Sequence, residues 1–290
     1  MKLLVKFNLV FLLVFLVGLA GASLIARDML RQAAKDEVLD RARLLMQHAN
    51  AVSGYTATQI KPLLETQMKY TFLPQSVPAY SAAEVLAGLQ TSYPEYSFKS
   101  AMLNPTNPRD RAVAWEEDIV TAFHKQPDLK EFVGERETPS GTALYIARPI
   151  RITNPGCLAC HSTPDAAPKT LTDKYGPANG FGWTLNEALG AQVVSVPMTL
   201  PMRSADRALM VVVGVLTGVF VLIGAVLNFM LYRLVIRPVS TLSGIADRVS
   251  LGEFEAPEFG VKSNDEIGVL SESFNRMRTS LAHAMKMLEG

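Results

Sequence analysis

Two long apolar runs dominate the hydrophobic pattern of the chain. The first, FNLVFLLVFLVGLAGASLIA (residues 7–26), contains no charged residue. The second, ALMVVVGVLTGVFVLIGAVLNFMLY (residues 208–232), contains Asn228 as its only strongly polar residue. A helix of about 20 residues spans the hydrocarbon core of a bilayer, which is roughly 30 Å thick. The pattern therefore predicts two transmembrane helices.

The charges beside the first run predict the orientation of both helices. Lys2 and Lys6 precede this run, so residues 1–6 are expected in the cytoplasm. Residues 27–207 would then face the outer compartment, and the chain after the second run would return to the cytoplasm. A cleaved signal peptide is the alternative for the first run, because AGA before Ser23 resembles a cleavage site. The apolar stretch continues past that site, which favours an uncleaved anchor.

The segment between the two runs mixes helical and strand patterns. Apolar residues recur at steps of three and four through residues 35–65, which predicts a helix nearly continuous with the first span and ending near Pro62. Residues 104–126 begin with two Asn-Pro turn signals, in NPTNP, and then follow a helical pattern. Strand patterns occupy YSFKSAMLNP, GTALYIARPIRI and GAQVVSVPM. The prediction is an α+β domain in which antiparallel strands are flanked by helices, as in PAS-like or Cache-like sensor domains.

Two amphipathic stretches follow the second run. A short one begins after Pro238, and a polar connector (residues 251–264) separates it from a longer one that begins at Asp265. Two such helices can bury their apolar stripes in a parallel four-helix bundle made by two chains. The apolar seam of the longer stretch is Ile267, Leu270, Phe274, Met277, Leu281, Ala284 and Leu288.

This tail, residues 234–287, resembles a HAMP domain. The resemblance rests on Arg237-Pro238 after the second run, on GEFEAPEF in the connector and on DEIG at the start of the longer stretch. It implies a homodimer that relays a signal from a membrane helix to a cytoplasmic output module. A simple dimerising coiled coil is the alternative, but it leaves the connector motif unexplained.

Composition narrows the chemistry to one short segment. The chain has 290 residues, a net charge of +1 and 49% hydrophobic residues, so nothing favours nucleic acid as a partner. Its only two cysteines, Cys157 and Cys160, lie in NPGCLACHSTPDAAP and are followed directly by His161. A zinc site would need His48 or His124 to complete four ligands. A thioredoxin-like dithiol would need a βαβ context, and a plain disulfide leaves His161 unexplained.

Covalent haem is the interpretation that uses all three residues. Cys157 and Cys160 would form thioethers with the haem vinyl groups, and His161 would be the proximal iron ligand. One haem c is predicted. Such haem is attached on the outer face of the bacterial inner membrane, where the predicted topology places this segment.

The surrounding residues resemble a family of periplasmic single-haem sensor domains. The resemblance covers most of residues 45–200 and is carried by YTATQIKPLL, QSVPAYSAAEV, SFKSAMLNPTNPRDRAVAWE, CLACHSTPDAAP, YGPANGFGW and AQVVSVPM. It implies a PAS-like fold between two membrane helices and ahead of a HAMP domain. Phe181 and Trp183 could line a haem pocket, although an ordinary core position explains them equally well.

The sixth iron ligand stays open between two residues of the long helix. Met46 lies on its apolar face and His48 flanks that face, and they point about 200° apart, so at most one serves. Core packing is the alternative for Met46, and a surface position is the alternative for His48. Further candidates of the same ligand types are Met68, Met102, His124 and Met198.

The sequence therefore favours a membrane-bound haem sensor that detects redox state or a small ligand and is not an enzyme. A monohaem cytochrome acting in electron transfer is the alternative, but it does not explain the HAMP-like tail. A haem enzyme is the third possibility, although no carboxylate pair, nucleophile–base set or phosphate loop stands out in the sequence. No output module is recognised in the sequence up to Gly290, so either the output belongs to a separate protein, such as a kinase or cyclase, or the chain is a shortened sensor that dimerises with others.

Overall fold

The computed structural model describes residues 3–253, 258–260 and 265–288. It divides the chain into a sheet unit, Arg27–Ala208, and a helical unit made of Met1–Ala26 and Leu209–Gly290. The elements in chain order are α1 (Leu3–Tyr55), α2 (Lys61–Met68), α3 (Pro78–Gln90), β1 (Ser97–Met102), α4 (Ala114–Lys125), β2 (Phe132–Thr138), β3 (Gly141–Arg151), α5 (Leu158–His161), α6 (Lys169–Tyr175), β4 (Ala188–Pro197), α7 (Thr199–Leu231), α8 (Arg237–Ser250) and α9 (Glu266–Leu288).

The sheet unit is built on four antiparallel strands in the order β1-β4-β3-β2. The predicted antiparallel strands flanked by helices are thus confirmed for β1, β3 and β4. Met102 pairs with Gly190 and Arg151 pairs with Ala188, so the last residues of β1 and β3 meet the first residues of β4. We call this edge the motif end of the sheet, because the CLACH segment follows β3 there.

Helices cover both faces of the sheet. On one face α4 buries Ile119, Val120 and Phe123 against alanines of β1, β3 and β4 and against Val193. On the other face α1 buries a stripe at helical spacing against β3 and β4. That second cluster consists of Val38, Ala42, Met46, Leu144, Ile146, Val194, Val196 and Met198. Burying apolar side chains from both helices contributes most of the stability of such a layered unit.

The long helix does not end at Pro62, so that part of the sequence prediction is wrong. Helix α1 is continuous from Leu3 to Tyr55, as the sequence predicted for its junction with the first apolar run. It passes through a π-helical turn, Thr56–Ile60, directly into α2. Pro62 lies in the first turn of α2, directly after the π-helical turn.

Glu131 ties α1 to β3 just before β2 begins. Its Oε1 accepts hydrogen bonds from Arg43 Nε and Nη2 at 3.1 and 2.8 Å, and its Oε2 accepts from Arg148 Nε and Nη2 at 3.1 and 2.9 Å. The Glu131 side chain is 18% exposed. Burial raises the pKa of Glu131, but the two guanidinium groups outweigh it, so this pKa lies below the ordinary value of 4.5.

We expect Glu131→Gln to lower the free energy of unfolding by about 1–3 kcal/mol, because it weakens two charge-assisted contacts in a half-buried place. In the wild type this contribution is present above pH 4.5 and is lost as the pH falls through the lowered pKa of the folded state. The free energy of unfolding is measured by urea unfolding followed by the fluorescence of Trp115 and Trp183, since both tryptophans lie in the sheet unit. Glu37→Gln, which removes an exposed pair with Arg41, is the control and should change stability by less than about 1 kcal/mol. Equal losses in both variants would contradict the assignment.

In the helical unit the two apolar runs pack against each other through a pair of amides. Asn8 Nδ2 donates to Asn228 Oδ1 at 2.7 Å, and Asn228 Nδ2 donates to Asn8 Oδ1 at 2.7 Å. The remaining amide hydrogens are used by the carbonyls of Leu4 and Gly224 at 2.9 and 2.8 Å. Each polar group of the pair is therefore satisfied, as an apolar environment requires.

Aromatic rings extend this contact along the two helices. Phe220 stacks on Phe11 and Phe15, with ring centroids 4.3 and 3.5 Å away. A Cβ at Gly224 would lie 3.0 Å from the Phe11 ring, so glycine permits the close approach. Within the described residues two helical stretches, Leu4–Met68 and Thr199–Ser250, are long and apolar enough to cross a membrane.

The tail forms two helices, α8 and α9, as the sequence predicts. Asp265 caps α9, because its Oδ1 accepts the backbone N–H groups of Ile267 and Gly268 at 3.0 and 3.1 Å. The DEIG motif therefore supplies the N-cap of α9 through its first residue. Of the connector, residues 254–257 and 261–264 lie outside the described part of the chain, and with them half of GEFEAPEF.

Phe259 of the connector joins the two tail helices. Its carbonyl accepts hydrogen bonds from Ser271 Oγ at 2.9 Å and from Asn275 Nδ2 at 3.1 Å, both on α9. Its ring packs with Leu242, Val249 and Phe274 in a small core. The connector therefore contributes to the packing between α8 and α9.

Candidate functional site

The CLACH segment forms a single turn of helix at the motif end of the sheet. After β3 the chain makes a 3₁₀ turn, Pro155–Cys157, that passes directly into α5. Asn154 starts this turn, since its Oδ1 accepts the N–H of Gly156 at 2.8 Å and its carbonyl accepts the N–H of Cys157 at 3.1 Å. The proline and the asparagine thus explain why a tight helical turn begins here.

Helical spacing brings the three functional side chains together. Cys160 and His161 follow Cys157 by three and four residues, which places all three along one side of the turn. Both cysteines are free thiols and half-buried. Burial raises the pKa of the Cys160 thiol, and the positive charge of Lys61 opposes this only in part. Cys160 is therefore a protonated thiol near neutral pH.

The imidazole of His161 is held in one tautomer. Its Nδ1 lies 2.8 Å from the carbonyl oxygen of Gly180. A carbonyl can only accept, so Nδ1 carries the hydrogen and Nε2 keeps its lone pair. Burial lowers the pKa of His161, although the bond to Gly180 opposes it, and the ring is neutral at neutral pH. A neutral imidazole with a free Nε2 is the form that binds a metal ion.

The ring is also fixed by stacking and by backbone pairing. Trp183 stacks on His161 with ring centroids 3.7 Å apart and planes at 10°. The N–H of Gly182 donates to the carbonyl of Ser162 at 2.9 Å, and the N–H of Trp183 donates to the carbonyl of His161 at 3.2 Å. The GFGW segment therefore runs beside the CLACH turn. Trp183, which the sequence left between a pocket wall and a core position, contacts the proposed proximal ligand.

The other sequence candidates lie in different surroundings. Met46 is fully buried in the α1 face of the sheet, among the cluster that includes Ile146 and Val194. His48 is exposed, and its Nδ1 lies 3.1 Å from the carbonyl of Leu44 in the preceding turn. His124 Nε2 pairs with the carbonyl of Ala188 and so joins α4 to β4. None of these contacts tests which residue is the sixth ligand, which stays a prediction.

Two of the further methionine candidates lie close to the motif end. Met68, the last residue of α2, accepts a hydrogen bond at its carbonyl from Thr170 of α6 at 3.3 Å. Met102 ends β1 and packs beside Gly190. Met198 lies in the same cluster as Met46.

The side chains of the CLACH turn fit the haem attachment that the sequence predicts. Two free thiols three residues apart can form the thioether bonds of a c-type haem, and a neutral histidine with an unused Nε2 can be its proximal iron ligand. Among residues 3–253, 258–260 and 265–288, no group of three or more His, Cys, Asp or Glu side chains could hold a metal ion. A structural zinc site, which needs four ligands, therefore finds no ligand set in this part of the chain.

Comparison with family models identifies the sheet unit. A model described as Tll0287-like matches residues 31–197, more than half of the chain. The chain belongs to the Tll0287-like family. A HAMP domain model matches residues 230–283, so the tail that resembles HAMP is a HAMP domain. The Tll0287-like region contains the whole CLACH turn and the loops that hold His161.

A solved structure is also similar to this chain. It is the crystal structure of the cyanobacterial heme-protein Tll0287, at 16% sequence identity and a TM-score of 0.43. The match covers 56% of this chain and 95% of that chain. A search of curated proteins gives no match.

Proposed function

We propose that the chain is a membrane-bound sensor that carries one covalent c-type haem in its Tll0287-like region and relays the state of that haem to its HAMP domain. The observation that carries the proposal is the CLACH turn, where two reduced thiols accompany a histidine whose Nε2 is free to bind iron. The Tll0287-like family shares its name with a cyanobacterial heme-protein, which supports the same cofactor. Bound haem supplies a one-electron redox centre and a coordination position for a small ligand.

The cofactor chemistry supports a definite topology. Haem is attached to such cysteines outside the bacterial inner membrane, so we place the PAS-like sheet unit in the periplasm between two spans. Residues 1–6 and the HAMP domain are then cytoplasmic. The amide pair of Asn8 and Asn228 supports the two spans, because it satisfies the only strongly polar side chains of the apolar runs.

A short covalent route connects the haem turn to the HAMP domain. Trp183, which stacks on His161, precedes β4 by only five residues. Strand β4 crosses the sheet and ends at Pro197, and α7 begins at Thr199. A change at His161 would displace this strand and the start of α7. The HAMP domain then adopts one of two packings, and the state of the haem changes the population of each.

Exposed positions of α9 support a homodimer. Leu270, Met277 and Leu281 are 44%, 61% and 43% exposed in the single chain, although they belong to the apolar seam. A second copy in a parallel bundle would cover them. The partner we propose for the output is a separate cytoplasmic protein. The chain itself acts as a sensor and not as an enzyme.

The sixth iron position is not assigned by the geometry. Met46 would have to leave a fully buried place, and His48 would have to turn from the exposed face of α1. Spectra of the Met46→Ala and His48→Ala variants identify either residue, because loss of a sixth ligand shifts the haem bands. The stimulus we propose is reduction of the iron or exchange of a ligand at this position.

Hydrogen–deuterium exchange tests the relay directly. We expect amide exchange in α8 and α9 of the haem-loaded chain in lipid nanodiscs to differ between the oxidised and reduced states. A bias of about 1.4 kcal/mol between two HAMP packings changes protection about tenfold. The Cys157→Ala, Cys160→Ala chain, treated with the same reductant, is the control and should show no difference. Haem reduction without any change in α8 and α9 would favour the electron-transfer alternative.

A further inference from the structure

The carbonyl that binds His161 is itself held by a loop 76 residues earlier in the chain. Asn104 Oδ1 accepts the N–H of Gly180 at 3.2 Å. Asn104 Nδ2 donates to the carbonyl of Phe181 at 3.3 Å. These two bonds lie on either side of the peptide group that carries the Gly180 carbonyl. The side chain of Asn104 therefore fixes the plane of that peptide and the direction of its oxygen.

Thr106, from the same loop, supports Gly180 from the side. Gly180 has φ +84°, and a Cβ at this residue would lie 2.0 Å from Thr106 Oγ1 and 2.8 Å from Thr106 Cα. The hydroxyl of Thr106 also lies 3.5 Å from His161 Nδ1, too far to compete with the Gly180 carbonyl at 2.8 Å. The loop thus packs directly against both partners of the hydrogen bond.

The loop is anchored to the sheet. The N–H of Leu103 donates to the carbonyl of Leu189 in β4 at 3.3 Å, and the N–H of Ala112 donates to the carbonyl of Met102 at 2.9 Å. Asn104 is therefore placed by regular backbone pairing at the motif end of the sheet. A side chain positioned in this way can impose a direction on its partner.

We propose that Asn104 is a positioning residue that sets the strength of the His161 Nδ1–H hydrogen bond by orienting the Gly180 carbonyl. The proposal rests on the proposed function, because the consequence is felt at iron bound to His161 Nε2. A stronger bond at Nδ1 increases the electron donation of Nε2. Greater donation stabilises ferric iron and lowers the reduction potential of the haem. Asn104 is thus a determinant of the potential at which the sensor switches.

The first measurement is the midpoint potential of the haem-loaded full chain in nanodiscs. Asn104→Ala is expected to shift the potential to more positive values. Asn107→Ala is the matched control, because Asn107 lies in the same loop but its side chain accepts the N–H of Arg109, at 3.2 Å, within its own turn. An unchanged potential in Asn104→Ala, or an equal shift in Asn107→Ala, overturns the proposal.

The second measurement does not need haem and separates this proposal from the proposed function. Full chain made without haem maturation and labelled with ¹⁵N in its histidine rings should show His161 with a protonated Nδ1 and a bare Nε2. Asn104→Ala should move the ring toward a mixture of both tautomers, whereas Asn107→Ala should not. His161→Ala assigns the signal. A tautomer preference that survives Asn104→Ala overturns the role of Asn104, while absence of haem from the wild type overturns only the proposed function.

Discussion

Replacing Cys157 and Cys160 together by alanine is expected to abolish covalently bound haem. The two thiols are the only cysteines of the chain, so no other residue can form the thioether bonds. Because the two substitutions are small and half-buried, we expect the sheet unit to stay folded. The haem signal on a denaturing gel, or the intact mass of the purified chain, measures the loss.

Ala159→Ser is the matched control for the double variant. Ala159 is an exposed residue of the same turn, and its replacement keeps both thiols and His161. It should retain the haem of the wild type. Persistence of a haem signal in the double alanine variant after denaturation would show that the cofactor is not attached at the CLACH turn.

Gly180→Ala is expected to lower the free energy of unfolding by about 2–5 kcal/mol. A left-handed residue with a Cβ costs about 1–2 kcal/mol. The Cβ would also overlap Thr106, including its backbone, and overpacking of this kind costs about 1–3 kcal/mol. The loops must move apart to accept the methyl group, so the Gly180 carbonyl should also lose its alignment with His161 Nδ1.

Gly182→Ala separates the cost of a left-handed backbone from the cost of overpacking. Gly182 has φ +76°, but a Cβ there meets nothing within 4 Å. It should therefore cost only the backbone term of about 1–2 kcal/mol. Urea unfolding followed by tryptophan fluorescence compares the two variants. If Gly180→Ala is no more destabilising than Gly182→Ala, the close packing between the two loops is not part of the folded state.

The elements that sequence predicted well are those whose signals are local. The apolar runs, the helical spacing of the stripe from Val38 to Ala49 and the alternation of β3 follow from residues close together in the chain. Strand β2 was not predicted, because it lies at the sheet edge and its sequence FVGERET ends in three consecutive charged residues and a threonine, so it lacks the alternation of a half-buried strand. The continuation of the helix past Pro62 depends on a π-helical turn for which the sequence offers no signal.

The CLACH turn was predictable as a candidate site, but the residues that support it were not. Cys157, Cys160 and His161 lie within five residues of one another, and covalent haem is the interpretation that uses all three. Asn104 and Gly180 meet across 76 residues, and their contact depends on the sheet that aligns the ends of β1 and β4. The sequence indicated only the turns in NPTNP. The available sequence signal for an unusual backbone here was the pair of glycines in PANGFGW. Both of them, Gly180 and Gly182, have positive φ.

The HAMP domain and the Tll0287-like region together limit the kinds of function that suit the chain. A membrane-anchored electron carrier would use the two apolar helices, but it leaves α8 and α9 of the HAMP domain unexplained. A sensor needs a site that changes state, an element with two packings and a connection between them. His161, Trp183, β4 and α7 supply a connection whose parts are contiguous in space or in the chain.

The most direct test of covalent haem in this chain is the intact mass and the pyridine haemochrome spectrum of the full chain purified from bacterial membranes. The cells must carry the machinery that attaches c-type haem. We predict the mass of the chain plus one haem and a haemochrome spectrum typical of two thioether bonds. A chain that carries two free thiols and no haem after expression in such cells would contradict the proposed function.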